Sequence, residues 1–520
     1  MSDQNPNNGL DTFEHIVVLM LENRSFDNLL GYLHMNDKPL PPNSKYDGLQ
    51  NGNFSNPVPK RAIDADKYKT IETHRATDFN QPYPDPGEEY QHVNTQLFGE
   101  IDPDNIGIDQ YYMKAPYNLP TNPLPKPSMN GFINDYESNL EATYNKGPDN
   151  HDPFLIDYEK YSVIMQCFEP DQIPVLSNLA NGFAVFDQWH CDVPSQTFCN
   201  RAFWHAGTSG GKVINPLDEG GGVENDFTEM ESWEKEVWSQ PTIFDRMTDK
   251  GVTWGIYSPA DNIIPATSLV HGQFKNTHWF DTFELDVELH RLPQYSFLEP
   301  LFLFDHNDQH PCQVNHEYRV GTVHLGEELM LRVYNWIRKS DHYRDKTLLI
   351  ITHDEHGGCV DHVIPSAAVP PVPGMVGQLD FDFKRLGIRV PMVMISSYIQ
   401  PNTIVNDTFS HSSFIKTVCD KWGLDPLTDR DINAKPFSYS NLFSTQKRNA
   451  AWPEINMDTD ILERIKNMSG TDLEDDPLNG LQKTILNGLL YIEKKRGLAN
   501  TPRNSIKTNG DMRVLIDKLK

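Results

Sequence analysis

The sequence predicts an α/β sandwich, with a central, mostly parallel sheet flanked by helices, and three observations predict it. Short, strongly apolar runs stand at 16–21, 183–186, 252–257, 348–352 and 390–396, the pattern of parallel strands buried on both faces. Between them apolar residues recur at helical spacing: Leu329, Val333 and Ile337 at i, i+4 and i+8, and Phe414, Val418 and Trp422 likewise. Strand and helix alternating in this way favours layers of helix over a sheet, not an all-β or all-α fold.

In chain order, the first run ends abruptly in Glu22-Asn23, with Ser25 placed to cap a following helix. Both side chains would then stand where a strand's carboxyl end meets a helix start, the place where open α/β sheets bind ligands. A solvated turn explains such a pair equally well. Residues 35–130 are rich in Pro, Asn, Asp, Tyr and Gly with little periodicity, as in NQPYPDPGEEY. They read as long ordered loops over the sheet, the kind that builds substrate sites, with disorder as the competing reading.

The 183–186 run leads into VPSQTFCNRAFWHAGTSGG. Ser195 and Thr197, beside Pro and Asn, signal by themselves only a turn. Arg201 could hold two phosphate oxygens or be structural. The glycines of AGTSGG suit a tight turn and not a P-loop, since no Lys-Ser/Thr follows them.

The 348–352 run delivers Asp354 and Glu355, then His356 and two glycines. Adjacent acids at the end of a buried strand are costly without a cation, and two such places in one sheet make a shared metal the simplest resolution. Glu22, Asn23, Asp354 and Glu355 offer only oxygen, which suits Ca²⁺, Mg²⁺ or Mn²⁺, while nearby histidines keep Zn²⁺ open. Beyond about residue 445 the chain turns polar and helical with a basic end. The expected division is a catalytic domain over 10–445 and a mostly helical appendage over 446–520.

A formal charge of −28 over 520 residues, with pI near 5.0, excludes an electrostatic footprint for nucleic acid and a general attraction to anionic membranes. A phosphate-bearing substrate would need a local cation. No apolar run approaches the roughly 20 residues that span a bilayer. The start, MSDQNPNNGLDTFEH, has neither a basic n-region nor an apolar h-region. The expectation is a protein made in the cytoplasm, with secretion that leaves no cleaved signal still open. Six cysteines without CxxC pairing argue against a zinc ribbon or a disulfide scaffold.

From about residue 13 to residue 431 the ordered segments ENRSFD, FAVFDQW, VPSQTFCNRAFWHAGTSGG, TIFDRMTDKGVTWGIY, LPQYSFLEP, DEHGG, RLGIRVPMVMIS and HSSFIKTV resemble a known family. It is the bacterial and plant phosphoesterase family of phosphatidylcholine-cleaving and non-specific phospholipases C, with a bacterial acid phosphatase. The resemblance implies an alkaline phosphatase-like fold and phosphoric ester hydrolysis. It implies Glu22, Asn23, Asp354, Glu355 and Thr197 as metal ligands, with Thr197 also the nucleophile and Ser195 its competitor. Arg201, Asn200, His278 and Glu88 would contact substrate.

His310 matches the first histidine of an HPxH pattern, the second falls on Gln313 with His316 the nearest replacement, and His411 opens HSSF. One of His310, His316 and His411 would protonate the leaving oxygen. Two departures stand out: Cys199 where relatives usually have Pro, and Glu88 where they have His after Pro-Gly, with His92 four residues on.

The expected reaction is hydrolysis of a phospholipid, phosphatidylcholine first, to diacylglycerol and the phosphorylated head group through a phosphothreonine. An acid phosphatase acting on monoesters and a catalytically silent lipid-binding protein are the alternatives. The expected cofactor is one or more divalent ions, with Zn, Ca, Mg and Mn undistinguished. Partners would be a phospholipid or other phosphate ester, with transient membrane-surface contact and no nucleic acid. Trp189, Trp204, Trp279 and Tyr90 are candidate walls for a quaternary ammonium, with buried core the first expectation for each.

Overall fold

Eight strands form one sheet at the centre of the protein. In chain order they are β1 (His15–Leu21), β2 (Ala184–Phe186), β3 (Trp254–Ser258), β4 (Thr277–Trp279), β5 (Tyr295–Leu298), β6 (Thr347–His353), β7 (Met392–Ile395) and β8 (Thr403–Val405). Across the sheet they lie in the order β8-β2-β7-β6-β1-β5-β3-β4. The computed structural model describes residues 9–35, 40–52, 54–121, 123–144, 156–216, 227–259, 276–303, 306–311, 322–440, 442–467, 475, 477–498 and 501–519.

The apolar runs became strands because helices cover both faces: Ile16 to Leu21 in β1 and Leu348 to Ile351 in β6 are at most 1 % exposed. One expectation needs correcting. The run at 390–396 forms β7, but β7 is antiparallel to both β6 and β2, while every other ladder of the sheet is parallel. No α-helix lies between β6 and β7 to carry the chain back across the sheet, so it re-enters from the end at which β6 left. Hydropathy missed β4, β5 and β8, which are three or four residues long; Ser296 interrupts the apolar run in β5.

The two helical periodicities became Val323–Lys339 and His411–Trp422. Leu329, Val333 and Ile337 bury the inner stripe of the first, while Phe414 and Val418 bury that of the second. The loop-rich region carries the short Ser55–Pro57 and Thr70–Glu72 pair and the helix Tyr90–Phe98, which packs on Phe132–Tyr144 in its own apolar cluster. Near the C-terminus the helices Gly480–Lys495 and Asn509–Leu519 bury Leu481, Ile485, Leu489, Met512 and Leu515 in one cluster with Val193, Phe198 and Phe302. No helix among the described residues is long and apolar enough to cross a membrane.

Candidate active site

Register brings the two acidic motifs together. Parallel β1 and β6 pair Leu21 with His353, so Glu22 and Asp354 leave neighbouring strands side by side at their carboxyl ends. The Asp354 amide donates to the Leu21 carbonyl at 3.2 Å, and the Asn23 amide to Asp354 Oδ1 at 3.2 Å. Asn23 takes the left-handed conformation, φ 54°, which Asn tolerates better than most residues. Both glycines of DEHGG are required by close approach. A Cβ on Gly357 would lie 2.1 Å from the Asn23 carbonyl oxygen, and one on Gly358 2.6 Å from that of Gly87.

The helix Thr197–Ala206 points its amino end at these acids. Thr197 Oγ1 donates to Glu22 Oε2 at 2.8 Å and lies 3.3 Å from Asn23 Oδ1. Ser195 faces elsewhere: its hydroxyl donates to the Val213 carbonyl. Replacing Ser195 with alanine is therefore expected to cost about 1–2 kcal/mol of stability while turnover stays within about threefold, as urea unfolding and a steady-state assay would show.

Arg201, fully buried one helical turn on, pairs with Glu22 Oε1 through Nε at 2.8 Å and through Nη2, and reaches Asp354 Oδ2 at 3.3 Å. It holds the carboxylates in place, and its Nη1 makes no hydrogen bond. Asn200 does not face the pocket either. Its amide ties down the approach to the helix, accepting from the Val193 amide at 3.0 Å and donating to the Ser195 carbonyl at 2.7 Å.

Glu88 completes the pocket, accepting from Asn23 Nδ2 and, at 3.4 Å, from Gln196 Nε2. Burial, then the neighbouring Glu355, Asp85 and Glu89, push its carboxyl well above the usual range. Burial and the adjacent Asp354 do the same to Glu355, whose Oε1 is buried without a hydrogen bond. Burial likewise raises Glu22, against the pull of Arg201. Glu88 and Glu355 have no Lys or Arg within ion-pair distance among the described residues. Buried oxygen donors, the unpartnered Glu355 Oε1 among them, with too little positive charge beside them are the chemistry that a hard divalent ion would take at Glu22, Asn23, Thr197, Asp354 and Glu355.

The histidines separate. His310 lies in the pocket wall, its Nε2 3.6 Å from Glu88 Oε2. His411 is behind the site with both ring nitrogens engaged, donating from Nε2 to the Asp354 carbonyl at 2.6 Å and accepting on Nδ1 from Trp189 Nε1 at 3.3 Å. Burial lowers its pKa, so it positions Asp354 as a neutral ring. His278 sits on edge strand β4, three strands from β1 and stacked on Tyr257, and does not join the others. His316 lies outside the described residues. His92 does not take the place left by Glu88. Its Nδ1 bonds Asp135 Oδ1 at 2.8 Å, and although burial opposes the charged ring, Asp135 and Glu89 outweigh it and raise the pKa to about 9.

Of the four aromatic residues, three are buried, as expected for core, and one is exposed. Trp189 and Trp204 are core, Trp204 stacked on Phe414; Tyr90 is buried against Phe381; and Trp279 is exposed on the edge strand. Sequence reasoning also missed Asp85, Gln196, Asp308 and Asn479 around the pocket. Asp85 and Asp308 stood close to singled-out residues, but Asn479 was marked only as a helix cap, by Gln482 three residues on.

The remaining motif residues lock the two segments from behind. Ser25 caps the helix Phe26–Leu30 by accepting from the Asn28 amide at 3.1 Å, and donates to the Val360 carbonyl. Buried Arg389 pairs with Asp27 at 2.9 Å and Asp361 at 3.0 Å, and His362 bridges Asp27 at 2.6 Å and Asp47 at 3.1 Å. The Asp27, Asp361 and His362 cluster has the spacing of a metal site, but Arg389 already supplies its cation.

Burial opposes charging His362, yet Asp27 and Asp47 outweigh it and raise its pKa to about 10. The raised value means that this contribution is complete below the unfolded pKa of about 6.5 and is lost as pH rises through about 10. His362→Ala should cost about 1–3 kcal/mol at low pH. That penalty should shrink in urea unfolding as pH rises across the window.

A phosphoesterase family model matches residues 13–425. Among curated relatives, non-specific phospholipase C1 of Arabidopsis thaliana is 32 % identical over 84 % of this chain and 72 % of its own length. Phospholipase C A of Mycobacterium tuberculosis is 27 % identical over 57 % of each chain. Among solved structures, a protein in the alkaline phosphatase superfamily from Vibrio parahaemolyticus aligns over 51 % of this chain and 64 % of its own, at 16 % identity and a TM-score of 0.29.

Proposed function

The chain belongs to the phosphoesterase family and is a phosphoric ester hydrolase, and from that premise we propose that it is a metal-dependent phosphodiesterase of the phospholipase C type. Its substrate is a phospholipid, phosphatidylcholine first, cleaved to diacylglycerol and the phosphorylated head group. One observation carries the reading: a helix-terminal hydroxyl, Thr197 Oγ1, is held 2.8 Å from Glu22 inside a nest of buried carboxylates in which Arg201 pairs with Glu22 and Asp354 while, among the described residues, Glu88 and Glu355 have no Lys or Arg partner. The relatives' names point to phospholipids.

Thr197 attacks phosphorus in line, its proton passing to Glu22 Oε2, and a phosphothreonine forms as the P–O bond to diacylglycerol breaks and the departing alkoxide takes a proton from a water molecule. Water then hydrolyses that ester and frees the hydroxyl. Glu22, Asn23, Thr197, Asp354 and Glu355 would hold a divalent ion, which would supply positive charge that favours an ionised hydroxyl and steadies the phosphate oxygens. Arg201 keeps Glu22 and Asp354 in register, and the amino end of the helix Thr197–Ala206 favours the anionic group in front of it.

The surplus of carboxylates favours a singly charged diester over a doubly charged monoester. The test is an assay of purified protein on a chromogenic phosphocholine diester and the matching monoester, with chelator and with each of Zn²⁺, Ca²⁺, Mg²⁺ and Mn²⁺. Faster diester hydrolysis that a chelator abolishes is the expected result. Preference for the monoester would make it a phosphatase, and no hydrolysis of either would make it the silent binding protein.

A further inference from the structure

The catalytic reading leaves a second cluster of the pocket unused. Asp85, Glu88 and His310 are fully or almost fully buried, and each offers a ligand atom, all within 4.8 Å of one another. The orientation of the His310 ring is fixed. Its Nδ1 lies 2.7 Å from the Pro311 carbonyl and 3.7 Å from Asp85 Oδ1, its backbone amide donates to Asp308 Oδ1 at 2.9 Å, and the approach of Asn479 Nδ2 to Nδ1, at 3.4 Å, is weaker than the bond to the carbonyl.

A ring nitrogen that close to a carbonyl carries the hydrogen, so a neutral His310 has its lone pair on Nε2. That nitrogen is buried, makes no hydrogen bond, and faces Glu88 Oε2 at 3.6 Å. Two lone-pair atoms facing each other in a buried pocket repel unless positive charge lies between them. Their separation suits two ligands of one ion, each about 2.0–2.2 Å from it.

We propose that Asp85, Glu88 and His310 hold a second divalent ion beside the first, with Glu88 standing between the two; this rests on the metal-dependent reading above. One imidazole with two carboxylates favours Zn²⁺ or Mn²⁺ over Ca²⁺ or Mg²⁺.

The experiment counts ions. Protein stripped by chelator, reloaded with Zn²⁺ and freed of excess should carry two equivalents by elemental analysis. His310→Ala and Asp85→Asn should each carry one, with circular dichroism confirming the fold. Reloaded with Mn²⁺, the wild type should give the broadened resonance of a spin-coupled pair, and His310→Ala the six-line spectrum of isolated ions.

One equivalent or fewer in the wild type, or two in both folded variants, overturns the second site. If both variants fail to fold, the wild-type stoichiometry and resonance still decide. None of these readouts depends on turnover. Diester hydrolysis with a single ion would keep the proposed function and remove this site, while two ions without hydrolysis would do the reverse.

Discussion

Replacing Thr197 with alanine is expected to lower kcat on the diester by about 10⁴-fold or more, close to 5.5 kcal/mol of barrier, with the fold unchanged. The effect is large because covalent catalysis ends with the hydroxyl, and Ser195 cannot substitute. Its oxygen is committed to the Val213 carbonyl, whereas Thr197 Oγ1 bonds Glu22 directly. Thr197→Ser keeps the nucleophilic atom at the same helix position and should retain most of the rate. Mass spectrometry of quenched wild-type enzyme should find a phosphoryl adduct on the peptide that carries Thr197. Near-normal turnover in the alanine variant would exclude it as the nucleophile.

Metal removal should be nearly as severe, lowering turnover by at least about 10³-fold, restored on reloading. The same manipulation should change how stability responds to pH. Glu22, Glu88 and Glu355 have folded-state pKa values raised by burial and by one another. A folded carboxyl that binds its proton more tightly than the unfolded chain makes stability fall as pH rises above the unfolded value near 4.3. The chelated protein should therefore lose stability relative to the loaded protein progressively from about pH 4.5 upward, as urea unfolding of the two forms would show. Parallel curves for the two forms would mean that these carboxylates hold no cation.

Much of this architecture was legible, and for identifiable reasons. Strands β1 and β6 announced themselves because both faces are covered, and each ends in acids that hydropathy alone makes conspicuous. The direction of β7 was not legible, since a strand's polarity depends on the path of the loop before it and leaves no mark on its own residues. At the site, Glu22, Asn23, Thr197, Asp354, Glu355 and Glu88 do converge, and His310 with them.

Arg201, Asn200 and His411 were singled out in the right neighbourhood, yet their partners are protein atoms, and hydrogen-bond direction cannot be read from spacing. Asn479 was out of reach for another reason. Its capping box with Gln482 marks only the start of the helix Gly480–Lys495, while its meeting with His310 spans a separation of 169 residues and leaves no mark in either segment.

The separation between partners bears on how activity returns to an unfolded chain. Asn23 meets Asp354 across 331 residues and Thr197 meets Glu22 across 175, so each contact closes a very long loop. Such contacts are slow to form, because loop entropy is lost before they give any stabilisation. During refolding from urea, helical signal should recover first and hydrolysis should appear only in the slowest phase. A chain stalled on the way would therefore be inert toward lipids, whatever secondary structure it had regained.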